Sequence, residues 1–250
     1  MTKIFSLEND NTKPSINKKN VEHFFLERAK KIENIGPVRA VIYQDKNGDL
    51  AEKRDAAEKA RLLPIIKLDG TQRILDIGCG TGRWTKDLLS RCAYYHGIDF
   101  SKQLIQHAKT ENPESSNLRF SVTPAENYSL KKLGESQPFD RILCFGVLIY
   151  MNDNEVAEAF QCMARAAAPK ARIILREPIG IEKRLTIRDH YSDELEQNYN
   201  AIYRTQTELE SVIENTISTA GFKITEHGDM YPASLNNRSE TIQRWFALER

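Results

Sequence analysis

The sequence predicts an α/β fold built on an open, doubly wound, mostly parallel sheet. Three observations carry the prediction. Short β-type runs alternate with helical segments from residue 73 to residue 177, the signature of βαβ units. The strands read as nearly continuous apolar runs, as expected when both faces of a parallel sheet are covered. A glycine-rich turn, "GCGTG" at 78–82, directly follows the first of these strands. That is the carboxyl end, where open parallel sheets bind their ligands.

The elements follow in order. Residues 1–18 are polar and predict a loose tail. "NVEHFFLERAKKI" (20–32) predicts a helix capped by Asn20. Residues 35–50 carry Gly-Pro and Asn-Gly turn signals. "AEKRDAAEKARLLPII" (51–66) is dense in strong helix formers. The alternation then runs strand 73–77, helix 83–92, strand 94–99, helix 101–110 capped by Ser101, strand 118–122, strand 140–148, helix 153–167 and strand 171–177. The pattern breaks at 178–205, a long polar and aromatic insertion expected to cover the strand ends. A helix near 205–220 and two β-type segments, 222–230 and 240–249, close the chain, and the two segments could pair antiparallel. The count is seven strands. The expected organisation is an N-terminal arm and lid at 1–50 and a principal domain at 51–250.

Bulk properties narrow the function. The chain has 250 residues, long enough for one such domain with additions. The formal net charge is +1, which supplies no global field for nucleic acid or an anionic membrane. No run approaches the roughly 18 apolar residues that span a bilayer, and the polar start lacks the apolar core of a signal peptide. Cys79, Cys92, Cys144 and Cys162 show no metal-like spacing and read as free thiols, so the expected location is cytoplasmic. No metal site is expected.

The glycine turn admits two common ligand classes, and the residue count excludes both. A dinucleotide site needs G-x-G-x-x-G, but the sixth position from Gly78 is Arg83. A phosphate-binding P-loop fails at the same residue. Asp76, two positions ahead of the glycines, suits an ammonium group better than a pyrophosphate. Asp99 ends the next strand, 21 positions after Gly78, where a carboxylate can accept both hydroxyls of a ribose.

The stretch "ILDIGCGTGRW" (74–84), followed by Asp99 and by "FDRILCFGVLIYM" (139–151), resembles the class I S-adenosylmethionine-dependent methyltransferases over roughly residues 52–178. The resemblance implies a Rossmann-like seven-stranded sheet and S-adenosylmethionine as cofactor. It also implies roles. Asp76, Gly78 and Gly80 would hold the methionine part, Asp99 the ribose, and Phe100 would lie beside the adenine. Ala125 and Glu126 would pass the adenine edge; many members carry an acidic residue where this chain has Pro124. The Phe145 carbonyl would face the methionine ammonium or the methyl group. Arg54 would face the methionine carboxylate.

The acceptor is less constrained. The chain lacks the Asn/Asp-Pro-Pro-aromatic motif of members that methylate adenine or glutamine amides. Asp153 and Glu155 read as a helix start, not as part of a metal cluster. The ending at 145–151 is similar to members acting on small biosynthetic molecules, so the expectation is direct SN2 methyl transfer to an O or N nucleophile of a small-molecule acceptor. The alternatives are an RNA- or protein-directed methyltransferase and a non-catalytic S-adenosylmethionine-binding partner module. His190, Glu177 and Tyr203 are the candidate catalytic residues; His190 suits a general base by residue type. Arg176, Tyr191, Tyr199 and Arg204 belong to the same polar set. The alternative reading is that these residues fix the insertion to the core. Tyr43 and Gln44 would contribute to a lid, and Phe24 and Phe25 would cover the cofactor or pack ordinarily. Cys79 reads as a small residue in a tight turn and Trp84 as core. Lys18–Lys19 and Lys30–Lys31 read as solvated charges. A homodimer contact would use the edge near 222–249 or the arm.

Overall fold

The computed structural model describes all residues except 1, 8, 9, 11, 12, 44, 45 and 237. Gln44 therefore lies outside the described residues. In chain order the elements are β1 (Thr2–Ser6), α1 (Lys18–Lys30), α2 (Ile32–Ile35), α3 (Pro37–Ile42), α4 (Gly48–Ile66), β2 (Arg73–Ile77), α5 (Thr85–Leu89), β3 (Tyr94–Asp99), α6 (Lys102–Glu111), β4 (Leu118–Val122), α7 (Leu130–Leu133), β5 (Phe139–Phe145), α8 (Asp153–Ala166), β6 (Ala167–Gly180), β7 (Arg184–Ser192), β8 (Gln197–Tyr203), α9 (Gln206–Ile217), β9 (Lys223–Asp229) and β10 (Thr241–Glu249).

Seven strands form the main sheet in the order β4-β3-β2-β5-β6-β10-β9. The five strands β2 to β6 pair in parallel, and β10 runs antiparallel to both β6 and β9. The chain winds outward from β2 through β3 to β4, then returns to β5 on the other side. The strand order therefore reverses between β2 and β5, and a crevice opens at their carboxyl ends. The sheet is covered on both faces. Leu75, Ile77, Ile142, Phe160, Met163 and Phe246 belong to one apolar cluster, and Leu62, Ile74, Leu88, Tyr95, Leu143 and Ile174 to another. The alternation of strands and helices was legible because each strand had to be apolar enough to lie between two such layers.

The N-terminal region differs from the sequence expectation. Residues 2–6 are not a loose tail but the third strand of a small sheet ordered β1-β7-β8. Backbone hydrogen bonds to the open edge of β7 order this strand, and composition does not register an edge that a distant segment supplies. Helix α1 begins two residues before the expected cap: Asn17, not Asn20, accepts the Lys19 N–H at 2.9 Å. The Gly-Pro signal starts a helix instead of a turn. Gly36 takes φ 83° and Pro37 is the first residue of α3, where its fixed φ and missing N–H cost nothing. The Asn-Gly signal likewise starts α4: the Asn47 side chain accepts the Leu50 N–H at 3.1 Å.

The insertion at 178–205 is also ordered. Strand β6 extends to Gly180, and the hairpin β7–β8 follows. Arg204, at the end of the hairpin, fixes it to the main sheet. Its guanidinium donates to the carbonyls of Leu148 (2.9 Å) and Met151 (2.7 Å) and to Asp153 (2.8 Å). The third apolar cluster joins Val21, Phe24, Ile149, Tyr150, Leu185 and Ile202, so α1, the loop after β5 and the hairpin pack as one cap over the strand ends.

Candidate active site

Two adjoining cavities open at the carboxyl ends of β2, β3, β5 and β6. The first lies at the glycine turn, and Asp76, Gly78, Gly80, Asp99, Phe100, Ala125, Glu126 and Phe145 all line it. The turn has to be glycine. Gly78 takes φ 68°, and an added Cβ would stand 2.3 Å from Cγ2 of Val147. Asp99 is fixed by two backbone donors, Gly80 N–H at 3.0 Å and Ser101 N–H at 2.8 Å. Burial raises its pKa to about 6, although those two donors pull the other way. Asp76 accepts the Tyr95 hydroxyl at 2.5 Å, and burial raises its pKa to about 7 against the pull of that hydroxyl and of Arg83. A buried carboxylate held in this state gains most from a cationic ligand. Two such carboxylates flanking a glycine cradle with no room for Cβ fit a ligand that carries an ammonium and a ribose.

Helix α1 closes the first cavity. Phe25 stands edge-on to Phe100 at 5.3 Å between ring centres. Lys18 pairs with Glu126 and with Glu155 (3.2 Å) across the mouth. Lys18 is exposed, as the sequence predicted, and also pairs at the cleft mouth, so Glu126 is engaged by a lysine as well as lining the cleft. Phe24 packs against Tyr150 and Tyr199 and lies outside the lining.

The second cavity, of about 520 Å³, lies under the hairpin. It shares a wall with the first: Val41, Tyr43, Phe145, Gly146, Tyr150 and Arg176 line both. Gly146 takes φ 72°, and an added Cβ would stand 2.6 Å from Nη1 of Arg176, so the arginine head lies directly against the shared wall. Arg176 is held from behind by Glu58, a fully buried carboxylate at 3.0 Å from its Nε. Glu58 also accepts from Arg83 (2.5 Å) and from the Tyr231 hydroxyl (2.9 Å). Burial alone would raise the Glu58 pKa, but Arg176 and Arg83 outweigh it and hold the group ionised, at about 2. A chain of tyrosine hydroxyls lines the far side: Tyr150 to Tyr199 at 3.3 Å and Tyr199 to Tyr203 at 3.0 Å. Burial pushes the pKa of all three upward, so they are neutral hydrogen-bonding groups.

Of the expected residues outside the first cavity, Tyr203 lines the second. His190 lines neither; it is half-buried on β7 opposite Tyr199 in the strand register. Asp189, with φ 47°, lies at a break in the hairpin's register between Ile187 and His190. Tyr191 is 56% exposed. Glu177 also lines neither cavity. Its Oε1 accepts the N–H groups of Val147 (2.9 Å) and Leu148 (3.1 Å), so it shapes the loop that separates the cavities from behind. Burial raises its pKa to about 7. Arg54 lies in the second cavity and not beside Asp76: its Nε donates to the Leu235 carbonyl at 2.9 Å, and it sits over the Tyr231 ring. Sequence reasoning missed Glu58, Tyr150, Tyr231 and Arg238. Only Tyr150 had a usable local signal, its place just past the carboxyl end of a parallel strand. Cys79 and Trp84 are buried as expected. All four cysteines are free, and no group of three or more metal-binding side chains occurs among the described residues. No helix among the described residues is long and apolar enough to cross a membrane.

Comparison with known proteins agrees with this geometry. A family profile described as a methyltransferase domain matches residues 74–170. Phosphoethanolamine N-methyltransferase 1 of Caenorhabditis elegans is 26% identical over 114 residues, 45% of this chain and 23% of that protein. Malonyl-(acyl-carrier protein) O-methyltransferase of Acetivibrio thermocellus is 33% identical over 112 residues, 43% of this chain and 38% of that protein. The match to the C. elegans relative spans about a quarter of that protein's length. Among solved structures, Haemonchus contortus phosphoethanolamine N-methyltransferase 1, in complex with phosphoethanolamine and S-adenosylhomocysteine, superposes with a TM-score of 0.68 at 15% identity, covering 94% of this chain and 50% of that one. A SAM-dependent methyltransferase of Leishmania major superposes with a TM-score of 0.64 at 18% identity, covering 90% and 82%. Sheet order and glycine turn coincide with the segment, residues 74–170, that matches the methyltransferase-domain family, and the fold is that of the S-adenosylmethionine-dependent methyltransferases it superposes on.

Proposed function

We propose that the protein transfers the methyl group of S-adenosylmethionine directly to an oxygen or nitrogen of a small-molecule acceptor. The observation that carries this reading is the shared wall. The cleft around Gly78, Asp76 and Asp99 shares Gly146, Tyr150 and Arg176 with a second, polar cavity of about 520 Å³. That size suits a small acceptor and not a nucleic acid or protein segment. The printed activities of the relatives, N-methylation of phosphoethanolamine and O-methylation of malonyl-(acyl-carrier protein), support an O or N nucleophile.

In this reading Asp76 receives the ammonium of the cofactor, directly or through water, and Asp99 receives the ribose hydroxyls. Phe100 and the Ala125 backbone flank the adenine. The bound sulfonium supplies an already activated methyl group. What remains for the protein is alignment and exclusion of water. The Glu177 carboxylate fixes the loop that carries Gly146 and Val147, and α1 covers the mouth through Phe25 and Lys18. Holding two reactants in line can supply up to ~7–11 kcal/mol of the barrier reduction. None of the three neutral tyrosines is poised to take a proton, so the acceptor's own basicity, or water in the cavity, carries that step.

A thermal-shift titration with S-adenosylhomocysteine, followed by a methyl-release assay with a panel of small amines and alcohols, tests the proposal. The expected result is a saturable stabilisation by S-adenosylhomocysteine and turnover with a subset of the panel. No stabilisation would overturn the cofactor assignment. Binding without turnover on any small acceptor would favour a non-catalytic module.

A further inference from the structure

We propose that the acceptor carries an anionic group, a phosphate or a carboxylate, and that Arg238 binds it. The inference rests on the reading of the second cavity as the acceptor chamber. Three arginines line that cavity: Arg54, Arg176 and Arg238. Among the described residues only two carboxylates line it with them, and both are engaged. Glu58 is divided between Arg176 and Arg83. Glu194 accepts the backbone N–H of Lys46 at 2.8 Å. The tyrosines are neutral, so the lining carries an excess of positive charge. Excess cationic charge in a partly enclosed space is costly unless a counter-charge arrives.

Arg238 is the side chain best placed to receive that counter-charge. Its guanidinium lies over the rings of Tyr199, at 5.8 Å, and Tyr203, at 5.6 Å. Stacking occupies the flat face of the group and leaves its N–H edge for a planar or tetrahedral oxyanion. Its Nη1 is buried and has no hydrogen-bond partner among the described residues. A buried donor without an acceptor is rare and costs free energy, and a ligand oxygen would satisfy it. The nearest acid in sequence, Glu240, pairs with Lys3 at 2.7 Å and acts on Arg238 through space, without a hydrogen bond to its Nη1.

The tyrosine hydroxyls connect this position to the shared wall. Tyr203 and Tyr199 lie beneath Arg238, and Tyr199 passes its hydrogen bond on to Tyr150, which lines both cavities. An acceptor anchored by its anion at Arg238 would lie along this polar shelf with its nucleophile toward Gly146. Anchoring at a site remote from the reacting atom is an efficient use of binding energy, since it orients the nucleophile without hindering it.

The test uses the full chain loaded with S-adenosylhomocysteine, titrated with inorganic phosphate and separately with acetate, chloride holding the ionic strength constant. Binding is read as the rise in unfolding temperature and by calorimetry. At least one anion should bind saturably, and Arg238→Gln should weaken it by about tenfold or more. Arg238→Lys should fall between the two, because it keeps the charge and loses the fork. Arg188→Gln, an exposed change on β7, should leave binding as in the wild type. A response to phosphate alone assigns a phosphate ester, and a response to acetate alone assigns a carboxylate. No binding of either anion, or equal binding in wild type and Arg238→Gln, overturns the proposal. If S-adenosylhomocysteine itself does not bind, the functional reading fails. The same anion titration on the unliganded protein still reports on Arg238.

Discussion

The two cavities are built in opposite ways. The cofactor cleft is local: its floor is one strand end and one turn, Asp76 to Gly82, with Asp99 from the adjacent strand. Glycines set its shape, and a Cβ at Gly78 has no room. The second cavity is assembled from side chains on α4, the loop after β5, β6, the hairpin and the turn before β10. No two of its arginines share an element. A backbone-built site tolerates little sequence change and leaves a recognisable string. A side-chain-built site can be altered one residue at a time without disturbing the sheet.

That contrast can be broken or sharpened by experiment, beginning with the largest effect. Asp99→Ala should weaken S-adenosylhomocysteine by ~100-fold, since it removes a charge-assisted acceptor and leaves two backbone donors unpaired. Calorimetry checks this, and the anion binding at Arg238 should survive the change. Glu177→Ala comes next. It strips the partner from the N–H groups of Val147 and Leu148 and should cost about 2 kcal/mol of stability by chemical denaturation. If Glu177 were instead a base in contact with substrate, turnover would vanish while stability held.

The pH dependence separates the two sites further. Asp76 and Asp99 have folded pKa values of about 7 and about 6, above their ordinary value near 3.8. Between those limits the folded protein binds more protons than the unfolded chain. Their contribution to stability therefore rises as pH falls from 7 toward 4. Ligand binding runs the other way, because an ammonium requires the ionised carboxylate. Affinity for S-adenosylhomocysteine should drop about tenfold from pH 7.5 to 5.5 while the unliganded protein gains stability from these groups. Thermal unfolding across pH, with and without ligand, reads both.

The smallest effects concern the acceptor side. Tyr203→Phe removes one hydroxyl from the tyrosine chain and should raise acceptor KM by about threefold to tenfold, leaving cofactor affinity unchanged. His190→Asn should leave kcat within about twofold of wild type, because the ring lines neither cavity. A large loss of kcat in His190→Asn would place β7 closer to the reacting atoms than this structure does.

The same contrast explains what the sequence disclosed. The parallel sheet was legible because its inner strands β2, β3, β5 and β6 are largely buried and must be mostly apolar. The residues that line the first cavity were legible because Asp76, Gly78, Gly80 and Asp99 sit at fixed distances along the chain. Arg238 lies in the polar stretch "NNRSE", where nothing local separates a ligand-binding arginine from a solvated one. Glu58 reads as an ordinary helical glutamate until Arg83, Arg176 and Tyr231 converge on it from three other segments. His190 was a reasonable base by residue type. It lies past a break in the hairpin register at Asp189 and lines neither cavity, and no composition rule contains that. The strand at residues 2–6 exists because β7 offers an edge, which is again a fact about a distant segment.

The central claim is that the glycine-turn cleft is the donor chamber and that it delivers its methyl group through the shared wall into the arginine-lined cavity. A crystal structure with S-adenosylhomocysteine bound tests it most directly. The account predicts the ribose hydroxyls on Asp99, the ammonium toward Asp76 and the thioether sulfur facing the second cavity between Gly146 and Tyr150. A ligand whose sulfur points away from that wall, or one seated in the second cavity itself, would contradict it.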